Sequence, residues 1–197
     1  MSNGDVNASR RRFLVGATSV VGGVGVVGAA VPFVASWNPS AKAKAAGAPV
    51  KVNISKVEPG QQMTVEWRGK PVWIIRRTPE MLANIEKMND RVQDPQSEKP
   101  QQPDYIKGVY RASRPEYAIL VGICTHLGCS PKFRPEVAPE DLGAEWLGGF
   151  FCPCHGSKFD LSGRVFKSVP APLNLQVPPH KYVDDMNIII GVDEGAA

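Results

Sequence analysis

Beyond residue 50 the chain has no surplus of charge. It carries 18 basic and 18 acidic residues there, and the formal net charge of +4 comes from five basic residues against one acid before Lys51. A nucleic-acid-binding face needs a basic excess to displace counterions from phosphates, so that class is excluded. There is no collagen-like or disordered bias either, since 43% hydrophobic and 21% charged residues are ordinary globular values. No internal repeat runs through the 197 residues, a length that suits one domain plus an appendage rather than two full domains. Histidine and cysteine are scarce, at three and four, and their placement carries most of the information.

Charge is also missing between Arg12 and Lys42, a gap of 29 residues. As a helix, residues 13–37 would be roughly 37 Å long, enough to cross a hydrocarbon core of about 30 Å. Arg10, Arg11 and Arg12 would stay on the cytoplasmic side and Trp37 would sit at the far interface. The apolar core of a cleaved signal usually spans about 7–15 residues. This run is longer, so an uncleaved anchor is expected, although Ala41-Lys42-Ala43 offers small residues for cutting. The arginines ahead of Phe13-Leu14 resemble a twin-arginine export signal, a route for proteins already folded; they also serve as plain positive-inside charges. Gly22, Gly23, Gly25 and Gly28 either let a second membrane helix approach or keep the run weakly apolar for export.

The organisation expected is a cytoplasmic N-terminus at 1–12, an anchor at 13–37, a hinge at 38–50 and a head at 51–197. The stretch 41–49, small, lysine-tinged and ending in Pro49, reads as the linker. In the head, residues 50–54, 63–67, 72–76 and 117–123 read as strands, as do 173–177 and 186–192. Thr78-Pro79 opens a helix of about ten residues, with threonine as N-cap and proline at the first position. Residues 90–104, rich in Gln, Pro and Asp, read as an exposed loop. The fold class is all-β, built from short antiparallel strands with one helical insertion.

All four cysteines and two of the three histidines fall in two segments, Cys124-Thr125-His126-Leu127-Gly128-Cys129 and Cys152-Pro153-Cys154-His155-Gly156-Ser157. A structural zinc site takes four ligands and would leave two thiols over. A disulfide framework uses the cysteines but leaves His126 and His155 unexplained. The remaining histidine, His180 after Pro178-Pro179, reads as a surface or loop residue without a ligand role. The tryptophans, Trp67 and Trp73 among them, read as core or strand-edge aromatics.

The pair C-T-H-L-G-C and C-P-C-H-G-S resembles the Rieske proteins of cytochrome bc complexes. The resemblance extends over nearly the whole chain, through anchor, hinge, strands and the later segment Val169-Pro170-Ala171-Pro172-Leu173. It implies a Rieske-type antiparallel β-sandwich with a cluster-binding subdomain at about 123–172. It implies one [2Fe–2S] cluster, with Cys124 and Cys152 on one iron, His126 and His155 on the other, and Cys129 disulfide-bonded to Cys154. In such a centre two imidazoles replace two thiolates, which raises the reduction potential. The resemblance further gives Ser157 a hydrogen bond to a bridging sulfide, Leu127 a shielding place at the exposed tip, residues 170–172 a stiff third wall, and His155 the contact with quinol.

The implied activity is oxidation of ubiquinol, with one electron passed to cytochrome c₁ and protons released outside the membrane. The implied partners are cytochromes b and c₁ in a dimeric complex of the bacterial inner membrane, with the head on the periplasmic side. Where many high-potential relatives have Tyr two residues after that serine, this chain has Phe159. Two other readings stay open: the small Rieske subunit of an arsenite-oxidase-like enzyme, and a redox-inert zinc module tethered to the membrane.

Overall fold

The computed structural model describes residues 7–193, and the chain divides into two units, Met1–Ala45 and Ala46–Ala197. The first six residues of the expected cytoplasmic segment and the last four of the head lie outside the described residues.

The first unit is dominated by one helix, α1 (Ala8–Ala35), 28 residues long and buried nowhere along its length. It begins five residues before the anchor expected from Phe13, because Asn7 caps it: the Asn7 carboxamide oxygen accepts from the Ser9 and Arg10 N–H groups, each at 3.1 Å. The arginines are therefore helical. A second helix, α2 (Ala41–Ala46), occupies part of the expected linker, as alanine and lysine, both good helix formers, allow.

Among its described residues the second unit holds nine strands: β1 (Val50–Asn53), β2 (Gln62–Trp67), β3 (Lys70–Arg76), β4 (Tyr117–Val121), β5 (Lys132–Arg134), β6 (Gly149–Phe151), β7 (Lys158–Asp160), β8 (His180–Tyr182) and β9 (Asn187–Ile190). They form three antiparallel sheets of three, ordered β1-β9-β8, β2-β3-β4 and β5-β6-β7. Strands β3 and β4 of the middle sheet bury both faces, which is why Val72-Trp73-Ile74-Ile75 and Ala118-Ile119-Leu120-Val121 read as unbroken apolar runs. Val72, Ile74, Ile119 and Val121 pack with Val52, Ile188 and Ile190 of the first sheet. Trp73, Ile75, Ala118 and Leu120 face the other way, into a core shared with Cys124, Phe150, Cys152 and Phe159. Strand periodicity thus splits one ladder between two cores, and the second is the floor of the cysteine loops.

The expected helix is α3 (Pro79–Lys87), with the Thr78 hydroxyl accepting from the Met81 N–H at 3.2 Å. Three expectations need correction. Residues 90–104 are a loop, but not a fully exposed one. Val92, Asp94 and Ser97 are buried, because Val92 bridges Phe166 and the Gln93 N–H donates to Val165. Residues 173–177 are extended but join no sheet. The N–H groups of Leu175 and Val177 go to the carbonyls of Gly163 and Gln101, and the Asn174 side chain accepts from Val165 at 2.8 Å. His180 is buried, at 2% exposure, within β8; its N–H donates to the Tyr105 hydroxyl and its Nδ1 lies 2.8 Å from the Pro178 carbonyl.

Gly122 joins β4 to the first cysteine loop. A Cβ there would lie 2.3 Å from the indole of Trp73, and that indole is itself stacked on Phe150 at 5.0 Å. The ring has nowhere to go. Gly122→Ala should therefore cost roughly 3 kcal/mol, the upper range for overpacking, in a urea unfolding titration. A loss below about 0.5 kcal/mol, the scale of a neutral surface change, would show that the Trp73 packing yields.

Candidate metal centre

The two cysteine loops close in the same way. In the first, the Cys124 N–H donates to Cys129 O at 2.7 Å and the Gly128 N–H to Cys124 O at 3.0 Å. In the second, the Cys152 N–H donates to Ser157 O at 2.8 Å and the Gly156 N–H to Cys152 O at 3.0 Å. Both tips turn through a left-handed glycine, Gly128 at φ 84° and Gly156 at φ 76°, a conformation that penalises a β-carbon. β4 leads into one loop and β6 into the other, so each first cysteine sits at the end of a buried strand.

The side chains then sort by depth. Cys124 and Cys152 are free thiols, 3% and 1% exposed. Cys129 and Cys154 form a disulfide between the loops, and their sulfurs lie within 4.8 Å of each other and of the Cys152 sulfur. Above them the rings of His126 and His155 meet edge to face, centroids 4.7 Å apart. His155 is exposed and His126 half-buried, yet the Nδ1 of His126 is buried without a hydrogen-bond partner. Leu127 stands out at 72% exposure.

A third segment, 169–173, is stitched to both loops. The Ser157 hydroxyl, fully buried, accepts from the Ala171 N–H at 3.1 Å, and the Thr125 hydroxyl donates to Leu173 O at 2.6 Å. Thr125 escaped the sequence reading. Its place between Cys124 and His126, where a hydroxyl must face either the site or a neighbouring strand, was the available signal.

Burial pushes the Cys152 thiol up, and the adjacent Cys124 thiol adds to the rise against opposing N–H groups of Cys154 and His155. A buried thiol that resists ionisation is a poor nucleophile but a sound metal ligand, since a metal displaces the proton on binding. Two buried free thiols, two imidazoles in contact and a buried ring nitrogen without a partner fit a group with one sulfur-ligated and one nitrogen-ligated metal.

The comparisons agree with that chemistry. Residues 49–179 match the family described as the Rieske [2Fe-2S] domain. Residues 1–40 match the one described as the Ubiquitinol-cytochrome C reductase Fe-S subunit TAT signal. The ubiquinol-cytochrome c reductase iron-sulfur subunit of Allochromatium vinosum is 61% identical over all of this chain and 95% of its own length. The protein of the same name from Blastochloris viridis is 42% identical over 96% of this chain and 97% of its own. A solved chain of a hyperthermophilic respiratory Complex III is 28% identical, covering 90% of this chain and 98% of its own, with a TM-score of 0.48. The chain belongs to the Rieske iron–sulfur subunits of ubiquinol–cytochrome c reductase. It is an electron-transfer subunit of that oxidoreductase complex, and its cofactor is one [2Fe–2S] cluster. The matched export signal and the apolar α1 fit a membrane-anchored subunit. This membership retires both the zinc module and the arsenite-oxidase reading.

Phe159 lies in β7, fully buried in the core that holds Cys124 and Cys152. Phe159→Tyr would add a hydroxyl donor there, and donors to cluster sulfur raise the potential. The midpoint of the variant should rise in voltammetry; an unchanged or lower value would refute that account.

Proposed function

We propose that Cys124 and Cys152 hold the inner iron, His126 and His155 the outer one, and that the exposed edge of His155 receives quinol. The carrying observation is that two loops joined by the Cys129–Cys154 bridge each bring one buried free thiol and one of two facing imidazoles. When bound, the cluster accepts one electron at a potential raised by neutral imidazole ligation. The chain's own groups do the rest. With its solvent-side ring nitrogen deprotonated, His155, exposed at the tip, accepts a hydrogen bond from the ubiquinol hydroxyl and takes its proton as the electron leaves. Leu127 beside it covers the meeting point and excludes water. Ser157 already accepts from Ala171, so its own O–H is left to donate toward a bridging sulfide.

The electron's destination is cytochrome c₁, and cytochrome b frames the quinol site, within a dimeric complex of a bacterial inner membrane. On this reading residues 1–12 are cytoplasmic, 13–37 span the bilayer, and the head (51–197, cluster subdomain about 123–172) is periplasmic, so the protons of quinol leave on that side. Serving two partners requires the hinge at 38–50 to let the head move. Prolines introduced across 41–49 should slow turnover severalfold while the cluster spectrum stays normal, and unchanged turnover rules out the motion.

The ligand set is tested on the isolated full chain by iron and acid-labile sulfide analysis with low-temperature EPR. Equal iron and sulfide with a Rieske-type signal, lost in His155→Ala, is the expected result. Zinc in place of iron, or a normal signal in His155→Ala, would sink the assignment.

A further inference from the structure

Two arginines are buried in the head without a carboxylate. Arg77, just past β3, is 2% exposed and Arg111, in the segment before β4, is 1% exposed. Arg77 donates to the carbonyls of Pro115 at 2.8 Å, Tyr110 at 2.9 Å and Leu161 at 3.5 Å, and to the Ser162 hydroxyl at 2.9 Å. Arg111 donates to the carbonyls of Ser162 at 3.0 Å, Gly163 at 3.3 Å and Leu175 at 2.7 Å, and to the Gln102 side chain at 3.0 Å. Every one of these acceptors is neutral. Nη2 of Arg77 and Nε of Arg111 are buried with no partner.

A third buried guanidinium, Arg164, is paired with Asp160 at 2.7 Å, both fully enclosed. The other buried carboxylate among the described residues, Asp94, accepts from the Glu98 and Lys99 N–H groups. Three buried cations against two buried anions leave a net positive charge inside the head. Burial lowers Arg77 and Arg111 to about 10, so both stay charged at neutral pH.

Fixing the 161–163 carbonyls needs donors, not charge, and burying an uncompensated cation is expensive. Something inside the head must benefit from the charge. The clamped turn starts three residues after Ser157, so Ser162 lies no farther than about 18 Å from Ser157 along a fully extended chain. At Gly163 a Cβ would sit 3.1 Å from Leu120 and from Leu175, and both belong to the core that holds Cys124 and Cys152. The turn thus packs on side chains of the same core that holds the candidate ligands.

We infer that Arg77 and Arg111 supply buried positive charge that raises the reduction potential of the [2Fe–2S] centre, besides tying down the turn behind its second loop. With both outer ring nitrogens protonated, two ferric ions, two sulfides, two thiolates and two neutral imidazoles carry no net charge, and adding one electron without a proton makes the centre an anion. A nearby cation therefore stabilises the reduced form over the oxidised one, and no bond to the arginines changes. At an effective dielectric constant of about 20 and a separation of about 18 Å, one unit charge shifts that equilibrium roughly five-fold. The role presupposes the cluster at Cys124, Cys152, His126 and His155, and deepens it.

The test is an EPR-monitored redox titration of the full-length, cluster-loaded chain. Arg77→Gln and Arg111→Gln should each lower the ratio of reduced to oxidised centre about five-fold at fixed poise, and Arg77→Lys should restore it. Asp94→Asn, which removes a buried negative charge, should move the midpoint the opposite way. A purely structural role predicts weaker loading or a lower melting temperature with an unmoved midpoint. Loaded glutamine variants with the wild-type midpoint overturn the tuning role. Should the glutamine variants fail to fold, Asp94→Asn decides alone: a raised midpoint supports the role, and an unchanged or lowered one overturns it. A wild-type chain without the Rieske signal would instead remove the cluster assignment itself.

Discussion

Cys152→Ala should yield a head that folds but carries no iron. The side chain is 1% exposed at the end of β6, in a core with Trp73, Phe150 and Phe159. No water can reach that position to take over a vacated coordination site, and the cysteines flanking it in space are consumed by their disulfide. Removing one sulfur from a well-packed core costs only about 1–2 kcal/mol, so the fold survives while the site does not. Iron and labile sulfide should fall at least about tenfold, as expected when a buried ligand worth more than 1.4 kcal/mol is lost. The far-ultraviolet dichroism should stay that of the parent. Cys124→Ala should behave the same, since its loop closes with the same hydrogen bonds. Iron retained near the parent level in either variant would mean that another residue holds the inner metal.

The centre was legible in the sequence because its chemistry needs rare residues at short spacing. The two motif segments name the candidate ligands almost unaided, and the disulfide implied by the family resemblance is present. Strands long enough to show their period were legible too: β2, β3, β4 and the cap of α3 fall within a residue or two of expectation. The sheet that carries the loops was not. β5, β6 and β7 have three residues each, too few for alternation to register, and their pairing is set by the loops between them rather than by their own propensity. Residues 173–177 failed in the opposite direction. Their apolar content is that of a strand, but Asn174 turns its side chain onto Val165 and spends the backbone on two separate carbonyls.

Buried charge was the other blind spot. Arginine and histidine are ordinarily read as surface residues, so Arg77, Arg111, Arg164 and His180 gave no sign of being enclosed. What encloses Arg77 and Arg111 is a shared target, the turn 160–164, whose carbonyls and Ser162 hydroxyl collect donors from 51 to 85 residues away in sequence, while Arg164 pairs within the turn with Asp160. Nothing local marks such a convergence. The second loop is therefore held from two sides: by the segment 169–173 through Ser157 and Ala171, and by the guanidinium cluster through the turn that follows β7.

That support frames what the disulfide adds. Cys129 and Cys154 are separated by 25 residues, and closing a loop of that size in the unfolded chain is worth about 3.5 kcal/mol in the chain-entropy account. Cys129→Ala with Cys154→Ala should lower the melting temperature of the head by about 10 °C, at about 2–4 °C per kcal/mol for a domain of this size. The functional effect should differ in kind from that of Cys152→Ala. All four proposed ligands remain, so the cluster assembles. The two loops, however, lose the covalent tie beneath their tips, and the imidazoles that meet at 4.7 Å are then held together only by the metal and by the 169–173 segment. Cluster bleaching followed by visible absorbance should be several-fold faster in the double variant at equal initial iron. A variant that bleaches at the parent rate would assign the bridge to folding alone. One that never binds iron would make the bridge part of the binding site itself, because the entropy of loop closure acts on the unfolded chain and cannot by itself empty a folded centre.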